Sequence, residues 1–246
     1  MGSKIRNIII TGGAQGLGKR IAEHLSRKGH RVIVLDVKVL DDVPPAYRQI
    51  IEDYFPVDLS DLGALSKTLG KIIKRYKRID VLINNAALRF FRNYIDFSEK
   101  EVHEYVAVNF TAPILMIKRI FPLMKKSEYG RIINISSIGG FHGYTTGSMY
   151  SSTKGALIKF TEAFGMELNG SKGDITVNVI CPDSFSSVSG EKYYGYDHIV
   201  NSIVKHIDKI LDSDLNAAVI PVFLPRTRFI EIMRNFKEIL LWLRRN

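Results

Sequence analysis

Tyr150 and Lys154, four residues apart, and Ser137, thirteen residues before the tyrosine, are the side chains best suited to move a proton. On a helix, positions four apart lie on the same face. A free phenol with a pKa near ~10 is a poor base at neutral pH. An ammonium held beside it stabilises the phenolate and lowers that value, which makes tyrosine a usable proton donor and acceptor. A serine hydroxyl nearby could hold the oxygen of a reacting alcohol or carbonyl. A tyrosine and a lysine at this spacing also arise by chance, so the pair gains weight only from the elements around it.

The chain has 246 residues, 46% hydrophobic and 24% charged, which suits a globular protein with a sizeable core. That length fits one α/β domain spanning 1–246. A single cysteine, Cys181, excludes an internal disulfide framework and suits a reducing, cytoplasmic setting. No Cys/His cluster offers a metal site. The first strand begins within a few residues of Met1, so no signal peptide is expected. No run of about 18 apolar residues suggests a membrane-spanning helix. The formal charge is +10, but its lysines and arginines are spread along helical stretches and form no groove-reading motif. A solvated basic surface is therefore expected rather than a nucleic-acid site.

The elements that must position the three side chains follow from the hydrophobic pattern. Lys4 to Ile10 is a nearly continuous apolar run, as in a strand buried on both faces of a parallel sheet. It leads into Thr11-Gly12-Gly13-Ala14-Gln15-Gly16-Leu17-Gly18 and then a helical pattern over Lys19–Lys28. Strand, glycine-rich turn and helix are the setting of a dinucleotide-binding loop, with backbone close to a pyrophosphate at a helix N-terminus. The second strand, Arg31–Leu35, ends at Asp36, placed to bind ribose hydroxyls and to repel a 2′-phosphate. NAD is therefore favoured over NADP.

Strands are predicted over Asp53–Val57, Ile79–Ile83, Arg131–Ser136, Asp174–Cys181 and Ala217–Phe223. Helices are predicted from a Ser60 cap to Tyr76, from Ser98 to Lys126, over Met149–Leu168 and over His198–Leu211. Alternating strands and helices predict a Rossmann-type, doubly wound parallel sheet of about seven strands with helices on both faces. Asn109 stands inside the long helix, an interior position that invites a reason for an asparagine. Ser136 and Ser137 emerge at a strand's C-terminal end, the edge where open α/β sheets bind ligands.

Residues 183 to 197, with Phe185, Tyr193, Tyr194 and Tyr196, read as a lid loop. Residues 227–245 are predicted to form a basic amphipathic helix, apolar at Phe229, Met233, Phe236, Leu240 and Leu243. It suits a packed or subunit-interface helix. A peripheral membrane contact is the alternative.

Taken together, these motifs resemble the short-chain dehydrogenase/reductase family in its single-domain form, closely from residue 5 to about 182. Thr11 to Gly18 match its T-G-x-x-x-G-x-G loop, and Asn84-Asn85-Ala86 its N-N-A motif with Ala87 in place of glycine. Asn109, Ser137, Tyr150 and Lys154 match its catalytic tetrad in order and spacing. The resemblance implies that Tyr150 is the general acid/base and that Ser137 polarises the substrate oxygen. It implies that Lys154 lowers the tyrosine pKa and binds the nicotinamide ribose, while Asn109 holds a relay water. Gly12, Gln15, Gly16, Leu17, Gly18, Asp36, Asp58, Leu59, Asn85, Ala86, Pro182 and Ser187 are the implied cofactor contacts, shared with Tyr150 and Lys154.

Asp183 departs from the family, which places glycine after Pro182, and the C-terminal tail departs as well. A homodimer or homotetramer is implied. The expected activity is NAD-dependent interconversion of a secondary alcohol and a ketone. Phe90, Phe91, Phe141 and His142 are the candidate pocket residues and suggest an apolar small molecule. A 3-oxoacyl-thioester reductase, on carrier protein or coenzyme A, is the alternative among enzymes. A non-catalytic NAD-binding sensor or scaffold is the alternative outside them.

Overall fold

A computed structural model describes residues 4–170, 173–183 and 196–223. The apolar runs become β1 (Asn7–Thr11), β2 (Arg31–Asp36), β3 (Asp53–Pro56), β4 (Val81–Asn84), β5 (Tyr129–Ile135), β6 (Asp174–Pro182) and β7 (Val219–Val222). All pair in parallel, in the order β3-β2-β1-β4-β5-β6-β7. The direction of winding reverses between β1 and β4, and that reversal opens a crevice at the strands' C-terminal ends.

Among the described residues, seven α-helices flank the sheet: α1 (Gly16–Arg27), α2 (Pro45–Arg48), α3 (Leu62–Arg75), α4 (Glu99–Val106), α5 (Ala112–Ser127), α6 (Ser148–Leu168) and α7 (Tyr196–Leu211). Because side chains alternate across a strand, β1 serves both layers. Ile8 and Ile10 pack with Ile21 and Leu25 of α1 and Ile203 and Ile207 of α7. Ile9, between them, packs with Leu65 and Leu69 of α3 and Met116 and Ile120 of α5. The seven-stranded Rossmann-type sheet is thus the one that the strand–helix alternation predicts.

Several local expectations give way. α1 begins at Gly16, inside the glycine motif, three residues before the predicted Lys19. The cap of α3 is Asp61, whose carboxylate accepts from Ala64 N at 2.8 Å, rather than Ser60. Ser60 instead donates its own N–H to Asp58 Oδ1 at 2.8 Å, which holds it in the preceding turn.

The long helix starts as predicted, with a reciprocal Ser98–Glu101 capping box, but a π-helical turn over Ala107–Thr111 divides it into α4 and α5. This span, Glu99–Ser127, is long and apolar enough by composition to cross a membrane, although the sequence holds no unbroken run of about 18 apolar residues. In the fold Ala112, Met116, Ile117, Ile120 and Met124 of α5 are buried in the core instead. Tyr196, read as part of the lid, begins α7 and packs half-buried against the core. Ser187, Phe185, Tyr193, Tyr194 and the predicted helix 227–245 lie outside the described residues.

Candidate active site

At the end of β1 the chain turns through a glycine loop that admits no side chain at two positions. Gly12 has φ of +67°, and a Cβ there would stand 2.9 Å from the Ala86 Cα. A Cβ on Gly18 would stand 2.0 Å from the Gly12 carbonyl oxygen. Thr11 Oγ1 accepts from the N–H groups of Asn85 at 3.0 Å and Ala86 at 3.1 Å. Asn85 Nδ2 in turn donates to the carbonyls of Thr11 at 2.9 Å and Gly12 at 3.1 Å. These four bonds staple the end of β1 to the end of β4. Tyr47, on the short helix α2, is buried and donates its hydroxyl to the Gly13 carbonyl at 2.6 Å.

The N-terminus of α1 carries no side-chain cap at Gln15 and no acidic residue in its first turn. Its leading N–H groups and positive dipole end are therefore available to an anion in the cleft. Asp36 is buried, with Oδ2 accepting from Ala14 N at 2.9 Å and Oδ1 from Lys38 N at 3.1 Å. Both oxygens are oriented and each keeps further acceptor capacity. An uncapped helix start, a backbone free of Cβ atoms and a fixed carboxylate are what a dinucleotide's pyrophosphate and ribose require. Those residues fit a nicotinamide cofactor.

One cleft of about 860 Å³ runs from this loop across the sheet edge. Gly12, Gln15, Gly16, Leu17, Gly18 and Asp36 line one end, with Asp58, Leu59, Asn85 and Ala86. Ser137, Tyr150, Lys154 and Pro182 line the other. Ser137 stands just beyond β5, and its Oγ accepts from Gly139 N at 3.1 Å and lies 3.5 Å from the Pro182 carbonyl. Its hydroxyl also lies near enough to the Tyr150 phenol to favour the phenolate. Lys154 is buried and donates its Nζ to the Ile135 carbonyl at 2.8 Å, with the ammonium 5.8 Å from the Tyr150 ring centroid.

The electrostatics differ from the expectation that Lys154 lowers the tyrosine. Burial pushes the Tyr150 phenol up, opposed by the nearby Ser137 hydroxyl and by the charge of Arg89. Burial also pulls Lys154 down to about 8. The physical reason is desolvation: both groups leave water, and the charged form of each is disfavoured. The lysine's bond goes to a β5 carbonyl rather than to the phenol.

Asn109 does not line the cleft. It is fully buried in the π turn, with Oδ1 accepting from Leu88 N at 2.7 Å. Its Nδ2 donates to the Leu88 carbonyl at 3.0 Å and to Thr153 Oγ1 at 3.2 Å. The extra residue of a π turn changes the helix locally, often at functional sites. Here it ties the loop after β4 to α6 at the residue before Lys154.

Opposite the glycine loop, Arg89, Phe91, His142 and Tyr144 line the cleft, together with buried Asp183. Of the four candidate pocket residues, Phe91 and His142 take part. Phe90 packs edge-on against Tyr105 at 5.8 Å between centroids, and Phe141 is exposed away from the lining. Arg89 and Tyr144 were missed. They lie on the loops leaving β4 and β5, and ligands lie beyond the strands' C-terminal ends in such sheets. Position alone could have flagged them.

A family model described as short chain dehydrogenase matches residues 6–194. An uncharacterized oxidoreductase, YxjF of Bacillus subtilis strain 168, is 31% identical over 80% of this chain and 80% of its own length. The 3-oxoacyl-[acyl-carrier-protein] reductase FabG of Buchnera aphidicola subsp. Schizaphis graminum is 34% identical over 72% of each chain. In three dimensions, a short-chain dehydrogenase from Streptomyces avermitilis superposes with a TM-score of 0.80 at 22% identity, over 98% of this chain and 96% of that one.

Proposed function

We propose that this chain, which belongs to the short-chain dehydrogenase family, interconverts a secondary alcohol and a ketone with NAD, Tyr150 moving the hydroxyl proton. It is an oxidoreductase by that membership. The observation that carries the finer reading is one cleft with an uncapped helix start and fixed Asp36 at one end, and Ser137 and Tyr150 beside buried Lys154 at the other.

The nicotinamide ring, when bound, supplies the hydride acceptor or donor. The chain's own residues do the rest. The glycine loop and the start of α1 hold the pyrophosphate, and Asp36 accepts from the ribose hydroxyls and repels a 2′-phosphate. Asp58 and Leu59 flank the adenosine end, with Asn85 and Ala86 beside it and Pro182 and Ser187 assigned to the nicotinamide end. Ser137 holds the substrate oxygen. Tyr150 takes the alcohol proton as C–O becomes C=O and returns it in the reverse direction. Lys154, a charged neighbour, favours the phenolate once the site fills and binds the nicotinamide ribose. Asn109 fixes the π turn and the start of α6 behind it. A homodimer or homotetramer is the assembly we propose, to be read by light scattering behind a sizing column.

Titrating the protein with NADH and NADPH by fluorescence tests the cofactor assignment. NADH is expected to bind at least about 10-fold more tightly, the scale of one charge-assisted hydrogen bond gained or one repulsion avoided. A clear NADPH preference would overturn the role of Asp36. A panel of secondary alcohols and ketones read at the nicotinamide absorbance then tests the reaction. A second reading, reduction of a 3-oxoacyl thioester, is favoured by the likeness to the Buchnera reductase. Turnover of acyl thioesters without turnover of simple alcohols would select it.

A further inference from the structure

We propose that Ser136 is a positioning residue for Lys154: it pins the backbone of α6 to the end of β5 and so sets where the buried ammonium stands. The inference rests on the reading of Tyr150 and Lys154 as the reacting pair, and it gives that pair a support of its own.

Ile135, Ser136 and Ser137 follow one another at the end of β5, and each meets a different part of the site. The Ile135 carbonyl accepts from Lys154 Nζ at 2.8 Å. Ser136, itself buried, donates its hydroxyl to the Lys154 backbone carbonyl, also at 2.8 Å. The Ser137 hydroxyl lies near the Tyr150 phenol. Lys154 stands well inside α6, where its carbonyl already accepts the helical N–H from four residues on. The serine is therefore a second donor to an acceptor that the helix satisfies without it. What the second bond adds is a fixed distance between strand and helix. Ser136 is itself held, since its N–H donates to the Ile180 carbonyl of β6 at 2.8 Å.

A second bond completes the grip. Residues two apart on a strand share a face, and so do residues seven apart on a helix. Asn134, two before Ser136, donates its Nδ2 to Thr161 Oγ1 at 2.9 Å, and Thr161 lies seven beyond Lys154. β5 thus holds α6 by directional bonds at two buried points about two turns apart. Leu157 and Ile158, buried between those points, pack without direction and would tolerate a small slide. Gly140, in the turn after β5, closes on the same place: a Cβ there would stand 2.9 Å from the Lys154 carbonyl carbon and 3.0 Å from Gly155 N. A slide of α6 would draw Lys154 away from the Ile135 carbonyl.

The test reads Lys154 itself. In the full chain labelled with carbon-13 lysine, its side-chain NMR signal is assigned by its loss in Lys154→Met and titrated without cofactor. The parent is expected to titrate at about 8. An ammonium that loses the Ile135 carbonyl while still buried is disfavoured, so Ser136→Ala should lower the midpoint by about half a pH unit or more, the scale of one ordinary hydrogen bond. Thr161→Val, at the farther point, should move it the same way by less, and it carries the comparison alone if Ser136→Ala does not fold. Tyr150 of the same helix, Cys181 of β6, and Arg89, His142 and Asp183 of the cleft lining are unchanged in both variants. Tyr47→Phe, which deletes a buried bond elsewhere, should leave the midpoint where it is. A midpoint that Ser136→Ala leaves unmoved or raises, or that Tyr47→Phe lowers as far, would overturn the proposal. Turnover is then compared on the best ketone of the panel. Ser136→Ala is expected to lose about 5-fold in kcat with KM within about 2-fold. A kcat equal to that of an active parent would also overturn the proposal. A Ser136-dependent midpoint in a chain that turns nothing over leaves the support standing and removes the dehydrogenase reading. Turnover that Tyr150→Phe abolishes, with a midpoint indifferent to Ser136, does the reverse.

Discussion

From Gly12 to Asp36 the cleft is walled by backbone and short side chains that are tied at both ends, whereas from Arg89 to Tyr144 long side chains rise from loops. In the first region Thr11 is bonded to Asn85 and Ala86, Asp36 to Ala14 and Lys38, and the Gly13 carbonyl to Tyr47. In the second, Phe91 and Tyr144 are well exposed and meet as tilted rings 5.8 Å apart. A wall made of hydrogen-bonded backbone can serve one invariant ligand. A wall made of exposed side chains can be re-specified residue by residue without disturbing the sheet. The difference teaches where the chemistry is generic and where the substrate is chosen.

The contrast breaks first at Gly18. Gly18→Ala forces a Cβ into the space 2.0 Å from the Gly12 oxygen. Such overpacking is expected to cost about 1–3 kcal/mol of stability, read as a lowered urea midpoint, with NADH affinity falling alongside. Arg89→Met, in the looser region, should leave the midpoint within about 0.5 kcal/mol. Equal midpoint shifts in the two variants would erase the distinction.

Lys154 sits where the two regions meet and sharpens it through pH. Burial holds its ammonium at about 8, below the ordinary value of roughly 10.4. Between those values the unfolded chain binds a proton that the folded chain has shed, so stability rises with pH across that window. Below about 8 both states are charged and the cost of burying the ammonium is present in full. Lys154→Met carries no charge. Its midpoint is expected to exceed the parent's at neutral pH, with the gap closing as pH rises from about 8 toward 10. A gap that stays constant or widens would show that the lysine is not desolvated as described.

The smallest effect is expected at Tyr47. Tyr47→Phe deletes the 2.6 Å bond to the Gly13 carbonyl and should cost about 1 kcal/mol, seen in the urea midpoint and mirrored weakly in NADH affinity. No change in either would mean that Tyr47 does not brace the loop.

The same contrast explains what could be read from the sequence. Thr11 to Gly18, Asp36, Asn85, Ser137, Tyr150 and Lys154 were legible because their geometry demands particular residue types at fixed offsets from strand ends. Gly12 must tolerate a positive φ and Gly18 must lack a Cβ, so the glycines announce themselves. Tyr47 was illegible, since its partner is a carbonyl 34 residues away and any short helix could carry a tyrosine. Asn109 was legible as an anomaly but not as a π turn, because its partners Leu88 and Thr153 meet it only in the folded chain. Arg89 and Tyr144 carried no periodic or spacing signal. The direction of the Tyr150 shift was misread because burial, which a sequence does not show, outweighs the charges around it.

Turnover of Tyr150→Phe, measured beside its NADH affinity, tests the central claim most directly. Removing only the hydroxyl leaves the ring against Phe91 and the cofactor loop untouched. Loss of the general acid/base is expected to lower turnover by about 10²-fold or more while NADH binding stays within about 2-fold. Near-normal turnover in that variant would contradict the assignment of Tyr150 as the group that moves the proton.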